Sequence, residues 1–237
     1  MKGQRVQLHR ALSKKGICSR SQAMPLIRKG SVSVNGRVIS DPLAWVNVEN
    51  DRIDVAVKDQ KTDGHAEKIY LAMNKPTGYV TTASDEMGRK TVYDLLPEEY
   101  RKCWLFPVGR LDKESRGLLL FTNDGPWADR MTSPSSECEK TYVVETDVEP
   151  TDESLQEIQK GLLMDGRKTL PASLSRIGNR KFEIRIKEGR NRQVRRMFGM
   201  TGCTVKDLVR VSIGKIVLGE LSEGSIRKLS EDELEYV

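Results

Sequence analysis

The chain has 237 residues, 37% hydrophobic and 31% charged, which is enough apolar content for one large domain or a medium domain with a small appendage. No stretch approaches the roughly 18–20 apolar residues of a membrane span, and the opening MKGQRVQLHR lacks the apolar region of a secretory signal, so a cytoplasmic chain without a membrane partner is expected. The formal net charge is +6; four scattered cysteines without a C-x-x-C pair and only two histidines give no support to a disulfide framework, a metal site or His-based nucleophilic chemistry, leaving carboxylate, Tyr, Lys and Arg as candidates.

In chain order, Leu8, Ala11 and Leu12 recur at helical spacing and stop at Gly16, which predicts a short helix. Ser19 opens S-R-S-Q, with Gln22 placed as in a capping box, and Ala23, Leu26 and Ile27 share one face before a second stop at Gly30. Pro25 removes a backbone donor inside that helix and is expected to kink or shorten it. Val32 and Val34 alternate ahead of Asn35-Gly36, a strong hairpin signal, and Val38-Ile39 with Ile53, Val55 and Val57 supply returning strands. The first 40 residues hold nine Lys or Arg and no Asp or Glu, the electrostatic footprint of phosphate-backbone binding.

Residues 58–68, KDQKTDGHAEK, are polar and aperiodic, so they read as a linker between an N-terminal module (1–60) and a larger domain (69–237), with the linker proper at 61–68. Ile69 to Met73 reads as a strand followed by a turn at Asn74–Gly78; Leu118–Phe121, Tyr142–Thr146 and Phe182–Ile186 read as further strands, and Ser154–Leu163 as a helix. Strands and helices interleave without a regular βαβ period, which favours an α+β fold with a mixed, mainly antiparallel sheet flanked by helices.

Two stretches carry chemical interest. In VGRLDKESRGLLLFTND, Asp112 stands between Arg110 and Lys113 ahead of an aliphatic run; alone, it would be an ordinary surface ion pair. In EGRNRQVRRMF, a helix would put Val194, Met197 and Phe198 on one apolar face, Arg195 at its margin reaching inward, and Arg192 and Arg196 outward.

The phrases LHRALSKKGICSRSQA and IRKGSVSVNGRVI resemble the S4 RNA-binding domain. KPTGYVTT, VGRLDKESRGLLLFTNDG, EKTYVV, EGRNRQVRRMF and LVRVSIGKIVLGEL resemble, in order, the motifs of the S4-containing ribosomal pseudouridine synthases, and DGPWADRMTSP with ECEKTY leans toward the 16S enzyme over the 23S ones. The resemblance spans nearly the whole chain and implies isomerisation of uridine to pseudouridine in ribosomal RNA, free or in a subunit assembly intermediate, by a monomer that uses neither cofactor nor metal.

It also implies roles. Asp112 corresponds to the essential carboxylate, Arg195 to an arginine that salt-bridges it, and Tyr142 to the tyrosine that stacks on the target uracil and handles the C5 proton. Arg110 is a phosphate contact or a stand-in for the flipped nucleotide, Lys75 and Arg192 add backbone contacts, and Lys113, Arg116 and Arg196 are weaker candidates. Arg10, Lys14, Lys15, Arg20, Arg28, Lys29 and Arg37 are the RNA contacts expected from the basic N-terminal module. A non-catalytic ribosome-assembly protein on the same fold is the competing reading; it would be expected to lack Asp112, Tyr142 or Arg195.

Overall fold

A computed structural model describes residues 5–18, 20–57, 60–62, 67–83, 85–133 and 136–235. The chain forms two compact units: Met1–Tyr70 together with Pro97–Phe106 and Phe121–Ala128, and Leu71–Leu96 together with Pro107–Leu120 and Asp129–Val237. Two later segments cluster with the first unit, so one cut of the chain does not separate the two.

The N-terminal region runs β1 (Arg5–Gln7), α1 (Leu8–Lys14), α2 (Arg20–Arg28), β2 (Val32–Val34), β3 (Arg37–Val38), β4 (Trp45–Asn47), β5 (Ile53–Val57) and β6 (Gln60–Thr62). Both helices stop as the glycines predict. Gly16 and Gly30 each take φ +72, and the next amides, of Ile17 and Ser31, reach back to Leu12 O (3.0 Å) and Leu26 O (3.0 Å). Pro25 lies inside α2, yet the helix continues to Arg28, because only one second-turn donor is lost and Lys29 N still bonds Pro25 O at 3.0 Å. The expected capping box begins at Ser19, which lies outside the described residues. Asn35 and Gly36 take φ +52 and +79 between β2 and β3, the tight hairpin their sequence demands. Leu8, Leu12, Ile27, Val32 and Ile53 are fully buried at the centre of this module's core.

The linker expectation is corrected in part. Gln60–Thr62 pairs antiparallel with β5, Val55 facing Thr62, since backbone bonding needs no apolar alternation in an added edge strand. Residues 63–66 lie outside the described residues.

Among the described residues the main sheet has nine strands: β7 (Tyr70–Lys75), β8 (Phe106–Val108), β9 (Arg116–Thr122), β10 (Lys140–Thr146), β13 (Ser173–Gly178), β14 (Lys181–Ile186), β15 (Val205–Ile213), β16 (Ile216–Val217) and β17 (Ile226–Lys228); β11 (Leu163–Met164) and β12 (Arg167–Lys168) form a separate hairpin. The order is β13-β14-β10-β15-β9-β7-β17, with β16 on β15 and β8 on β9. Pairing is antiparallel along β13–β14–β10–β15 and between β17 and β7, while β9 joins β15 in parallel, which is the mixed, mainly antiparallel sheet expected.

Helices α3 (Glu98–Arg101), α4 (Gly125–Thr132), α5 (Asp152–Lys160), α6 (Gln193–Met200) and α7 (Glu231–Leu234) complete the chain. Helix α5 ends earlier than the predicted Leu163: Gly161 adopts φ +87, and Leu163 begins the β11–β12 hairpin. Leu118 to Phe121 are fully buried, as suits an inner strand covered on both faces. On α6, Val194, Met197 and Phe198 are buried as their spacing predicts, with the Phe198 and Phe182 rings 5.9 Å apart. Among the described residues no helix is long and apolar enough to cross a membrane.

Candidate active site

Asp112 sits in the loop that leads from β8 into β9, and every backbone carbonyl from 110 to 115 accepts a hydrogen bond. Arg210 Nη1 donates to Arg110 O (3.4 Å), Thr81 Oγ1 to Leu111 O (2.8 Å), Gly78 N to Lys113 O (2.8 Å) and Arg195 Nη2 to Glu114 O (2.9 Å). Lys75 Nζ donates to Asp112 O (3.1 Å) and Ser115 O (2.7 Å). A loop held carbonyl by carbonyl presents the Asp112 side chain in one arrangement, which is what a reacting group requires.

Lys75 is therefore corrected as an RNA contact. Its side chain is fully buried and a third bond, to Pro76 O at 2.9 Å, completes its donor set. Burial pushes its pKa down to about 8, against the opposing pull of Asp112 and Glu114.

The arginine beside Asp112 is also not the expected one. Arg195 spends its guanidinium on backbone, with Nη1 to Val205 O (2.9 Å) and Nη2 to Glu114 O, and has no ion pair with Asp112. Arg192 Nη1 lies 3.9 Å from Asp112 Oδ2 and 2.9 Å from Glu114 Oε2. The cause is local geometry: Arg192 caps α6 in the left-handed region (φ 49, ψ 33), a conformation uncommon for a side chain of this size and often found at functional sites. Its hydrogen bond holds the Glu114 carboxyl below the usual range. The Asp112 side chain is 31% exposed, so it is open to a substrate.

Tyr142 lies on β10 directly opposite Arg210 on β15, where a register shift between Thr141 and Tyr142 gives β15 one extra residue. Arg210 is 4% exposed; Nε donates to Leu118 O (2.8 Å), and Nη2 has no partner among the described residues. Arg210 in turn faces Gly117 of β9 in the parallel register. Gly117 has φ +102, and a Cβ there would stand 2.3 Å from Arg210 O, so the strand carrying this arginine can approach β9 only because residue 117 is glycine.

These groups line a cavity of about 900 Å³, among them Asp112, Lys140, Tyr142, Met164, Arg192 and Arg210. The β11–β12 hairpin forms one wall. Arg190 holds it through Met164 O (3.1 Å), Arg167 O (2.9 Å) and Lys168 O (2.7 Å), and Arg196 clasps Asp165 at the hairpin turn with two bonds of 2.8 and 2.7 Å. Arg190 is itself oriented by Glu188 (3.0 Å), which also accepts from Gln193 (2.7 Å). Arg110 lines the same cavity with its side chain exposed, whereas Arg116 pairs with Asp207 (2.6 Å).

In the N-terminal module Arg10, Arg20, Arg28, Lys29 and Arg37 are exposed, and Lys14 and Lys15 half-buried. Arg10, Lys15, Arg20, Arg28, Lys29 and Arg37 have no salt bridge among the described residues. The structure thus brings Asp112, Tyr142, Arg110 and Arg192 to one cavity, which Lys140, Arg190 and Arg210 also line. Sequence reading passed over these last three, although Arg210 had a signal, a lone charge in the apolar alternation V-R-V-S-I.

The profile of RNA pseudouridylate synthases matches residues 69–199, and that of the S4 domain residues 7–49. The chain is 34% identical over 235 residues to the ribosomal large subunit pseudouridine synthase B of Bacillus subtilis, covering 96% of this chain and 93% of that one. It is 35% identical to an uncharacterized RNA pseudouridine synthase of Aquifex aeolicus, covering 97% and 92%. A crystal structure of a pseudouridylate synthase, 33% identical, superimposes with a TM-score of 0.70 over 98% of this chain and 99% of that one. The chain belongs to the RNA pseudouridylate synthase family and is an isomerase with an N-terminal S4 domain.

Proposed function

We propose that this enzyme isomerises a uridine of ribosomal RNA, and that the RNA is 23S. The observation that carries the class of substrate is the pairing of an open, pinned carboxylate at Asp112 with a basic S4 domain. The choice of 23S rests on end-to-end likeness to a relative named for the large subunit, whereas the leaning to 16S rests on short phrases around residues 124–142.

In the mechanism, the target nucleotide leaves its stack and its base enters the cavity against the Tyr142 ring, while Arg110 at the cavity edge contacts the backbone it leaves behind. The C1′–N1 bond breaks, the electron pair stays on the uracil, and Asp112 meets the positive character left on the ribose. The uracil turns, C5 bonds to C1′, C5 gives up its hydrogen as a proton to the Tyr142 hydroxyl as that hydroxyl passes its own proton to solvent, and N1 gains one from solvent. Arg192 and Arg210 keep the carboxylate in a cationic surrounding that opposes the cost of desolvating it. The enzyme acts as a monomer, and a subunit assembly intermediate is a substrate alongside free RNA.

Tritium release from [5-³H]uridine-labelled RNA tests the proposal, because C5 loses its hydrogen only when the new carbon-carbon bond forms. Release from 23S RNA or large-subunit particles and none from 16S RNA or small-subunit particles is expected. The opposite pattern would move the target to 16S, and tight binding without release from any of the four would leave an RNA-binding protein.

A further inference from the structure

Lys140 is a cation of the cavity wall that the mechanism has not used. It lies two residues before Tyr142 on β10, and the unbroken pairing with β14, Lys140 opposite Ile186 and Tyr142 opposite Ile184, puts both side chains on one face of the sheet. Both line the cavity. Other cationic side chains of the cavity wall have anionic partners: Lys187 with Glu137 (3.1 Å), Arg190 with Glu188 (3.0 Å) and Arg192 with Glu114 (2.9 Å). Lys140 is half-buried and has neither a hydrogen-bond acceptor nor a carboxylate among the described residues. Burial lowers the pKa of its ammonium, the neighbouring Cys138 sulfur opposes that shift, and a second cation, Arg210, adds to it.

A desolvated cation facing another cation is a costly arrangement in the free protein, and it becomes favourable when an anion arrives between them. We propose that Lys140 is a further catalytic residue, its ammonium contacting an oxygen of the uracil ring as negative charge builds there during cleavage of the C1′–N1 bond. The inference rests on the reading of Asp112 and Tyr142 given above. Residues two apart on a strand are separated by about 7 Å, so a lysine of that reach ends beside the edge of a base stacked on the Tyr142 ring. The lysine keeps its proton throughout: the electron pair of the broken bond spreads over N1 and the two carbonyl oxygens, and Lys140 stabilises that charge more than it stabilises neutral uridine. Differential contact of this kind raises the rate of the chemical step with little effect on binding.

The test is single-turnover tritium release at saturating labelled RNA, with RNA affinity measured separately, for wild type, Lys140→Met, Lys140→Arg and Asp112→Asn. Lys140→Met is expected to slow release about 10²-fold with RNA affinity nearly unchanged, and Lys140→Arg to recover part of the rate. Lys140→Gln replaces Lys140→Met if the apolar variant loses its fold. A wild-type rate in Lys140→Met, or a loss confined to affinity as a phosphate contact would give, overturns the assignment. Undiminished release by Asp112→Asn would instead sink the underlying reading of the cavity, whereas an inactive Asp112→Asn beside a fully active Lys140→Met would sink Lys140 alone.

Discussion

Arg192 and Arg195 stand three residues apart and do different work. Arg195 bonds the carbonyls of Glu114 and Val205, so Arg195→Ala leaves two acceptors unsatisfied and is expected to cost about 1–3 kcal/mol of stability. Arg192 is exposed and meets only carboxylates, so Arg192→Ala is expected to change stability by about 0.5 kcal/mol or less while slowing catalysis. Urea unfolding and single-turnover rates separate the two, and a stable Arg195→Ala beside an unstable Arg192→Ala would refute the division. Helical periodicity did place Arg195 at the buried margin of α6. What periodicity could not supply was the left-handed backbone at Arg192, which turns a residue expected to face outward toward Asp112.

At the scale of elements, the approach of β9 to β15 sets the cavity, and Gly117 permits it. Gly117→Ala places a methyl where Arg210 O stands and holds it at a φ that alanine disfavours, so a loss of at least about 2 kcal/mol with a matching loss of activity is expected in thermal unfolding and turnover assays. A neutral Gly117→Ala would mean that the two strands can separate without cost. The same strand pair is fastened by Arg116 and Asp207, whose two bonds hold the Asp207 carboxyl below its ordinary value. Because the folded value lies below the unfolded one, the unfolded chain binds more protons between them. This stabilisation is present above roughly pH 4 and fades as pH falls through the folded value. Asp207→Asn is expected to flatten that acid-side decline and to cost only about 1 kcal/mol at pH 7, since both side chains are about one-third exposed. An unchanged acid profile would contradict the assignment. Runs such as Leu118–Phe121 and the glycine stops made the elements legible in the sequence; the edge strand Gln60–Thr62 was not, because its pairing rests on backbone alone.

Over the whole molecule, the sequence made the division of labour legible through its charge: a basic S4 domain, then a pseudouridine synthase domain. It could not reveal that Lys75, read as an RNA backbone contact, is a buried fastener of the Asp112 loop, because only the folded chain brings residues 75, 112 and 115 together. The exposed Arg28, Lys29 and Arg37 lack salt bridges among the described residues and are available for phosphates. Replacing all three with serine is expected to weaken RNA binding and to lower the slope of log affinity against log salt by about 2, with the chemical step at saturating RNA unchanged. An unaltered slope would place the phosphate contacts elsewhere. The most direct test of the central claim is single-turnover tritium release by Asp112→Asn, whose backbone clamps remain intact. Folded protein that binds RNA as wild type does but releases no tritium is the predicted result; release at the wild-type rate would mean that Asp112 is not the reacting group.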